Sequence, residues 1–468
     1  MRRAAMMSLV TLVVGLVAGQ TPVMSASLPA GCSPGTGETV CTGTFTDGAQ
    51  YKAEVPADFN GTLLLYSHGY VTPGPPYLPA AAANPATDVG DPVTGAWALA
   101  HGFALAGSSY SSRGWALQDA FRDQIAVLDW FDSNFGKPSR TIAWGHSLGG
   151  IITAGLLQLF PGRFSAGLPM CGVLAGGVGT WNEALDAEFA IQNLLPGGSS
   201  LQLVNISNPL QNLLLSEGVV GAAQATPQGR ARLALASALG DTPGWFDAAS
   251  PEPAPTDFAT REENQFDWFS QIDGPFIFDL RAELEARAGG NPSWNTGVDY
   301  RVQLAHSIDA DEVAALYQTA GLDLDADLAA LNAAPRISAD PAAVQYLEQF
   351  IAFDGNISTP VLSMHTTGDG LVVDNQESAY AAAVRAAGNQ ALLRQVFVHR
   401  AGHCSFTPGE TVAALQTLVD RLDTGRWQAT TQPDLMNAGA SALGATFNPA
   451  APSFLQFRPA QFLRPFNI

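Results

Sequence analysis

The sequence predicts an α/β protein: a mostly parallel central sheet flanked by helices and interrupted by a large, mainly helical insertion. Three observations carry this. Between residues 60 and 172, short apolar runs alternate with helix-like stretches, the pattern of parallel strands covered by crossover helices. From 173 to 358 the alternation gives way to helices of varied length joined by Gly- and Pro-rich connections, such as LPGG at 195–198 and PEPAP at 251–255. The strand pattern then resumes from 359. A chain of 468 residues accommodates one such core plus an insert, and with 47% apolar and 14% charged residues it has the material for a buried interior, which excludes a charge-rich disordered chain.

Residues 62–67 (TLLLYS) read as a buried strand ending at His68-Gly69, and 103–110 (FALAGSSY) as a second. Over 116–135, Phe121, Ile125, Val127, Leu128 and Phe131 recur at near-helical spacing, and Gly136-Lys137-Pro138 stops that helix. A strand at 141–144, a helix at 151–160 and a strand at 164–170 follow. After the insertion come strands at 359–365 (TPVLSMH) and 393–399 (LRQVFVH), then a helix at 411–422, whereas 428–468 lacks clear periodicity. The expected division is therefore a core in two parts, 27–172 and 359–427, an insertion at 173–358 and a tail at 428–468.

At the N-terminus, Arg2 and Arg3 precede an apolar run over 4–17 and then small and polar residues, the layout of a signal peptide covering 1–26. That run is short for a bilayer span, and no later stretch approaches about 18 uninterrupted apolar residues. The expectation is a secreted protein, extracellular or periplasmic, with no permanent membrane anchor. Lys and Arg total 22 against 42 Asp and Glu, so the net charge of -20 repels polyphosphates and argues against a nucleic-acid partner. The acidity itself reads as a solubility device.

The chemistry centres on Gly145-His146-Ser147-Leu148-Gly149, placed between the strand at 141–144 and the helix that follows. A serine on a sharp strand-to-helix turn is lifted above the sheet toward the positive end of the helix, and Gly on both sides lets neighbouring backbone pass closely. Its hydroxyl needs a base, and His403 lies in a loop after a strand and before the last core helix. The imidazole needs a carboxylate, and Asp369 sits in the turn after the strand at 359–365; Asp374 is the competitor, read instead as a helix cap. The order is Ser147, Asp369, His403. No His and Cys spacing forms a zinc site: His399 and His403 are four apart, but Gly402 and the preceding strand keep them off one helical face. No phosphate-cradling glycine motif follows a strand, so neither metal nor cofactor is expected. Of four cysteines, Cys32 and Cys41 fit a short closed loop, and Cys171 with Cys404 would tie the histidine loop to a core strand, two free thiols being the alternative.

This order, with each residue at the carboxyl end of its own strand, resembles the α/β-hydrolase superfamily, and Gly145-His146-Ser147-Leu148-Gly149-Gly150 is similar to the elbow of its lipases and esterases. The resemblance covers about 60–172 and 359–423. It implies an oxyanion hole from the backbone N–H groups of Leu148 and Tyr70, a lid at 173–358, and a secreted esterase-like or lipase-like serine hydrolase acting on a small or polymeric ester. The alternative it leaves open is an aminopeptidase-like hydrolase with lid carboxylates holding an ammonium group, Glu262-Glu263 being the candidate pair. A non-catalytic scaffold is the third reading. The aromatic clusters 266–269 and 276–278 are expected to be core rather than pocket.

Overall fold

The computed structural model describes residues 28–79 and 84–466, so the segment read as a signal peptide lies outside the described residues. Ten strands lie in one sheet: β1 (Cys32–Pro34), β2 (Glu38–Thr44), β3 (Gln50–Pro56), β4 (Thr62–Ser67), β5 (Ala104–Ser108), β6 (Arg140–His146), β7 (Ala166–Met170), β8 (Val361–Gly368), β9 (Leu393–Ala401) and β10 (Phe454–Leu455). Their spatial order is β1-β2-β3-β5-β4-β6-β7-β8-β9-β10. From β5 to β9 every pairing is parallel. Every residue of β4 is buried, as its continuous apolar run requires of a strand covered on both faces.

Chain direction across the sheet reverses at β4, whose neighbours are β5 on one side and β6 on the other. In an open parallel sheet such a switch leaves a crevice at the carboxyl ends of the diverging strands. The helix Leu117–Phe135 covers one face, burying Phe121, Val127, Leu128 and Phe131 on its apolar stripe. The helix Leu148–Leu159 leaves β6 directly and is almost wholly buried.

Two edges depart from the sequence reading. Strands β1 to β3 form an antiparallel meander that the sequence reading does not place; β1 and β2 are largely half-exposed or exposed, whereas β3 buries Tyr51, Ala53, Val55 and Pro56. Asp47-Gly48 turns between β2 and β3, with Gly48 at φ 95° and its N–H donating to Phe45 O at 3.0 Å. At the far edge the tail is part of the core. The helix Pro433–Ala442 buries Met436 and Ala440, while β10 pairs antiparallel with β9 and buries Phe454.

Between β7 and β8 the described residues are helical, from Gly176–Leu194 to Pro341–Gln349, and hold a second apolar centre around Leu233, Phe278, Tyr300 and Tyr317. Proline in the first turn and a side-chain cap start several of these helices, as at Thr226, which accepts from Gly229 N at 3.0 Å. Arg281, fully buried, binds Glu188 at 3.1 Å and Trp181 O at 3.1 Å, fixing Gly176–Leu194 against the helix Arg281–Ala288.

Both pairs of cysteines are disulfides. Cys32–Cys41 joins residues directly opposite in β1 and β2, and Cys171–Cys404 links the end of β7 to the loop after β9 across 233 residues of sequence. Closing so long a loop restricts the unfolded chain strongly. A double Cys171→Ser/Cys404→Ser variant is expected to lose about 2–5 kcal/mol of stability in denaturant titration; an unchanged midpoint would show that the bridge contributes nothing.

Candidate active site

β6 ends at His146 and the next helix begins at Leu148, so Ser147 alone makes the turn. Its backbone is at φ 58°, ψ -123°, a region that non-glycine residues rarely occupy. The flanking glycines make this possible. A Cβ on Gly149 would lie 1.9 Å from Ser67 O, and one on Gly145 would lie 2.4 Å from the same carbonyl. Ser147 N donates to Met170 O at 3.0 Å, anchoring the turn to β7. Leu148 occupies the first helical position, where the N–H has no intrahelical acceptor. The loop after β4 passes close by, since a Cβ on Gly69 would be 3.4 Å from Ser147 Cβ. Tyr70 follows and lines the same cavity as Ser147 and Leu148.

His403 Nε2 lies 2.8 Å from Ser147 Oγ, and its Nδ1 lies 2.7 Å from Asp369 Oδ2. Because the carboxylate accepts, the hydrogen sits on Nδ1 and leaves Nε2 to accept from the serine hydroxyl. Gly402, at φ 97°, donates to Gly368 O at 2.9 Å and accepts from Thr366 Oγ1 at 2.9 Å, so the histidine loop is stitched to the end of β8. Asp369 is buried and also accepts from Val372 N at 3.0 Å. Asp374 is not in this chain. It occupies the cap position of the helix Asn375–Ala386, but its side chain makes no capping hydrogen bond, which corrects the sequence reading of its role; the carboxyl is buried instead, and burial pushes it up to about 8. His399 is exposed beside Trp245.

Sequence reasoning missed His365. It is fully buried on β8, its Nε2 donating to Val372 O at 2.7 Å and its Nδ1 to Glu377 Oε1 at 3.2 Å. Glu377 also accepts from Ser363 Oγ at 2.6 Å, and from Gln395 Nε2. With both ring nitrogens donating, His365 is an imidazolium, 3.6 Å from Asp369 Oδ2. Burial works against that charge, but the neighbouring Asp369 and Glu377 carboxylates prevail and hold its pKa at about 10. For Asp369, burial raises the pKa, but the charge of His403, the hydrogen bond from its Nδ1 and the nearby His365 outweigh it and bring it to about 2. No local pattern betrays this network, because Glu377 stands twelve residues from His365.

A cavity opens beside Ser147. Core residues Tyr70 and Trp115 form one side, and the insertion supplies Trp181, Phe269, Phe276 and Ile277. The aromatic clusters therefore divide: Phe269 and Phe276 face the cavity, whereas Trp268 and Phe278 are buried core. Glu262 and Glu263 do not line it. Glu262 binds Arg230 at 2.5 Å and Glu263 is exposed, so the ammonium-binding role expected of that pair has no basis.

The His365 charge makes a signed prediction. Its folded-state pKa lies above the ordinary 6.5, so the stability it contributes is full below about pH 6.5 and is lost as pH rises through about 10. Thermal melts of His365→Gln should show the largest deficit against the parent near pH 6 and a shrinking one toward pH 10; a constant deficit would refute the charged state.

A model of the prolyl oligopeptidase family matches residues 97–177. The o-phthalyl amidase of Xanthobacter agilis is 30% identical over 429 residues, spanning 86% of this chain and 90% of the relative. Among solved structures, an esterase from Aspergillus oryzae aligns over 83% of this chain and 79% of its own at 14% identity and a TM-score of 0.41. The rice cell wall degrading esterase LipA from Xanthomonas oryzae aligns over 83% and 91% at 14% identity and a TM-score of 0.37. With its parallel sheet and its kinship to the amidase along most of both chains, this chain belongs to the α/β-hydrolase superfamily of serine hydrolases, in the family of the Xanthobacter agilis o-phthalyl amidase.

Proposed function

We propose that this hydrolase cleaves carboxylic esters through an acyl-enzyme on Ser147. The observation that carries the reading is the unbroken hydrogen-bond chain from Ser147 through His403 to Asp369 at the wall of an apolar cavity. Ser147 Oγ attacks the carbonyl carbon while His403 Nε2 takes its proton, and the oxygen that gains charge is met by the N–H groups of Leu148 and Tyr70. His403 then gives the proton to the leaving alkoxide as the C–O bond breaks. Water repeats the sequence, releasing the carboxylic acid and restoring the serine. Asp369 keeps the hydrogen on Nδ1 and balances the imidazolium.

The relative's name favours a second reading, amide cleavage at the same centre. An amine leaves only after it is protonated, a task the same His403 performs, and an alkoxide or phenoxide leaves more easily. A catalyst able to expel the amine therefore also turns over the matching ester. Export remains part of the proposal, supported by two disulfides that suit an oxidising compartment and by the N-terminal layout.

A nitrophenyl ester and a nitroanilide of one acyl group, assayed side by side, separate the readings: comparable kcat/KM values indicate an amidase, and activity confined to the ester indicates an esterase. Ser147→Ala should lower either rate by about four orders of magnitude or more, and Asp369→Asn by about three to four. Full activity in Ser147→Ala would sink the mechanism.

A further inference from the structure

The positive charges of this acidic chain are unevenly matched. Along most of the molecule a guanidinium meets a carboxylate, as Arg163 meets Asp129, Arg261 meets Asp309 and Arg400 meets Glu410. Arg385, Arg394, Arg421 and Arg458 do not: none of the four forms an ion pair among the described residues. Arg385, Arg394 and Arg458 line one cleft, between the end of the helix Asn375–Ala386, the start of β9 and the tail after β10. Among the described residues no Asp or Glu lines it, and Phe397 and Phe457, with ring centres 5.1 Å apart, form its apolar part. Arg421, in the last turn of the helix Pro408–Thr424, joins the group through Trp427. Its guanidinium carbon and that of Arg394 each lie 5.6 Å from the Trp427 ring centre. Trp427 Nε1 donates to Ala391 O at 3.0 Å, which holds the ring beside the entry to β9.

Like charges gathered around one ring repel, and nothing in the chain offsets that repulsion here. Burial and the charge of Arg421 both press Arg394 below the ordinary arginine range, and Arg421 Nε is buried with no hydrogen-bond partner. Helix ends explain part of the grouping, because a cation in the last turn suits the dipole, as at Arg385 and Arg421. Arg394 and Arg458 lie on a strand and in the tail, where no such dipole acts. We infer that this cleft binds a small oxyanion of two or more negative charges, a phosphate group or a polycarboxylate. Guanidinium forks match such oxygens in bidentate pairs, and several of them converge here on one space without a competing carboxylate. The range of the charges sets the size of the ligand. Within about 8 Å, the screening length at physiological salt, the arginines of the cleft dominate the potential, so a compact anion is held. A long polyanion would extend over a molecule of net charge -20 and be repelled. The cleft lies at the amino end of β9, whereas His403 follows the carboxyl end of that strand, so the site is separate from the reacting centre.

Calorimetry on the whole protein at neutral pH and constant ionic strength tests this with citrate, inorganic phosphate, acetate and heparin. Citrate or phosphate should bind about tenfold or more tightly than acetate, and the tighter of the two identifies the ligand as a polycarboxylate or a phosphate. Arg394→Gln should weaken that binding by about tenfold, and Arg385→Gln and Arg458→Gln severalfold each. Arg301→Gln, which removes an equal charge from the exposed pair with Asp325 in the insertion, should leave it unchanged. Arg458 makes no side-chain hydrogen bond among the described residues, so its replacement spares the fold, and a melting curve for each variant verifies this. Ser147→Ala should bind the anion as the parent does, which separates failure of this site from failure of the catalytic proposal. Equal binding of citrate, phosphate and acetate, tighter binding of heparin than of either small anion, or an affinity that survives combined Arg394→Gln and Arg458→Gln would overturn the inference.

Discussion

The helix after β6 approaches the end of β4 so closely that only hydrogen atoms fit between Gly149 and the Ser67 carbonyl, and the rest of the centre is arranged around that contact. Gly145 makes the same approach from the strand side, and a Cβ on Gly150 would lie 2.5 Å from Gly172 Cα after β7. Three strand ends and one helix thus meet backbone to backbone, leaving Ser147 to join them at φ 58°. Holding a serine there costs about 1–3 kcal/mol, offset by the packing that over-determines the turn. A single added methyl would move the helix rather than itself. Because His403 is fixed from the other side through Cys404 and the Gly402–Gly368 hydrogen bond, any such movement opens the 2.8 Å contact between imidazole and serine.

How much of this the sequence discloses follows from how local each cause is. β4 was legible to the residue, because a strand buried on both faces must be continuously apolar. The elbow was legible because its steric demand falls on glycines two and three positions from the serine. The N-terminal meander was not read, although the alternation of buried Tyr51, Ala53 and Val55 in β3 and the Asp47-Gly48 hairpin signal before it could have revealed it; β2 is largely half-exposed. The tail has too few apolar positions in a row for β10 to stand out, and its order comes from pairing with β9 and packing of Met436 and Phe454. His365 lies in the apolar run of β8, and nothing short of three-dimensional placement brings Glu377 to it.

The insertion shows the opposite balance. Its helix starts are written in proline and cap residues, yet which faces line the cavity depends on ion pairs between distant segments. Arg281 on Glu188 holds the helix Gly176–Leu194 from within the insertion, and Arg464 of the tail reaches Asp186 on the same helix. A wall clamped from both directions is preorganised, so Trp181 stands in a fixed position beside the cavity. Sequence order gives no hint that the tail secures the insertion.

Charge placement around Asp369 completes the logic of the centre. One carboxylate stands between two imidazoles: His365, already charged and paired with Glu377, and His403, whose charge in the proposed mechanism appears as the serine proton is transferred. A buried carboxylate with no cation nearby would tend to take up a proton and lose its ability to balance His403; His365 adds a positive neighbour to the contribution of His403 itself. Further negative charge at the same spot would undo the arrangement, and burial keeps the neighbouring Asp374 carboxyl protonated at neutral pH. The developing imidazolium thus faces one fixed carboxylate rather than a cluster of competing ones. Asp369 can both orient His403 and stabilise its charge without holding the proton too tightly to return it to the leaving group.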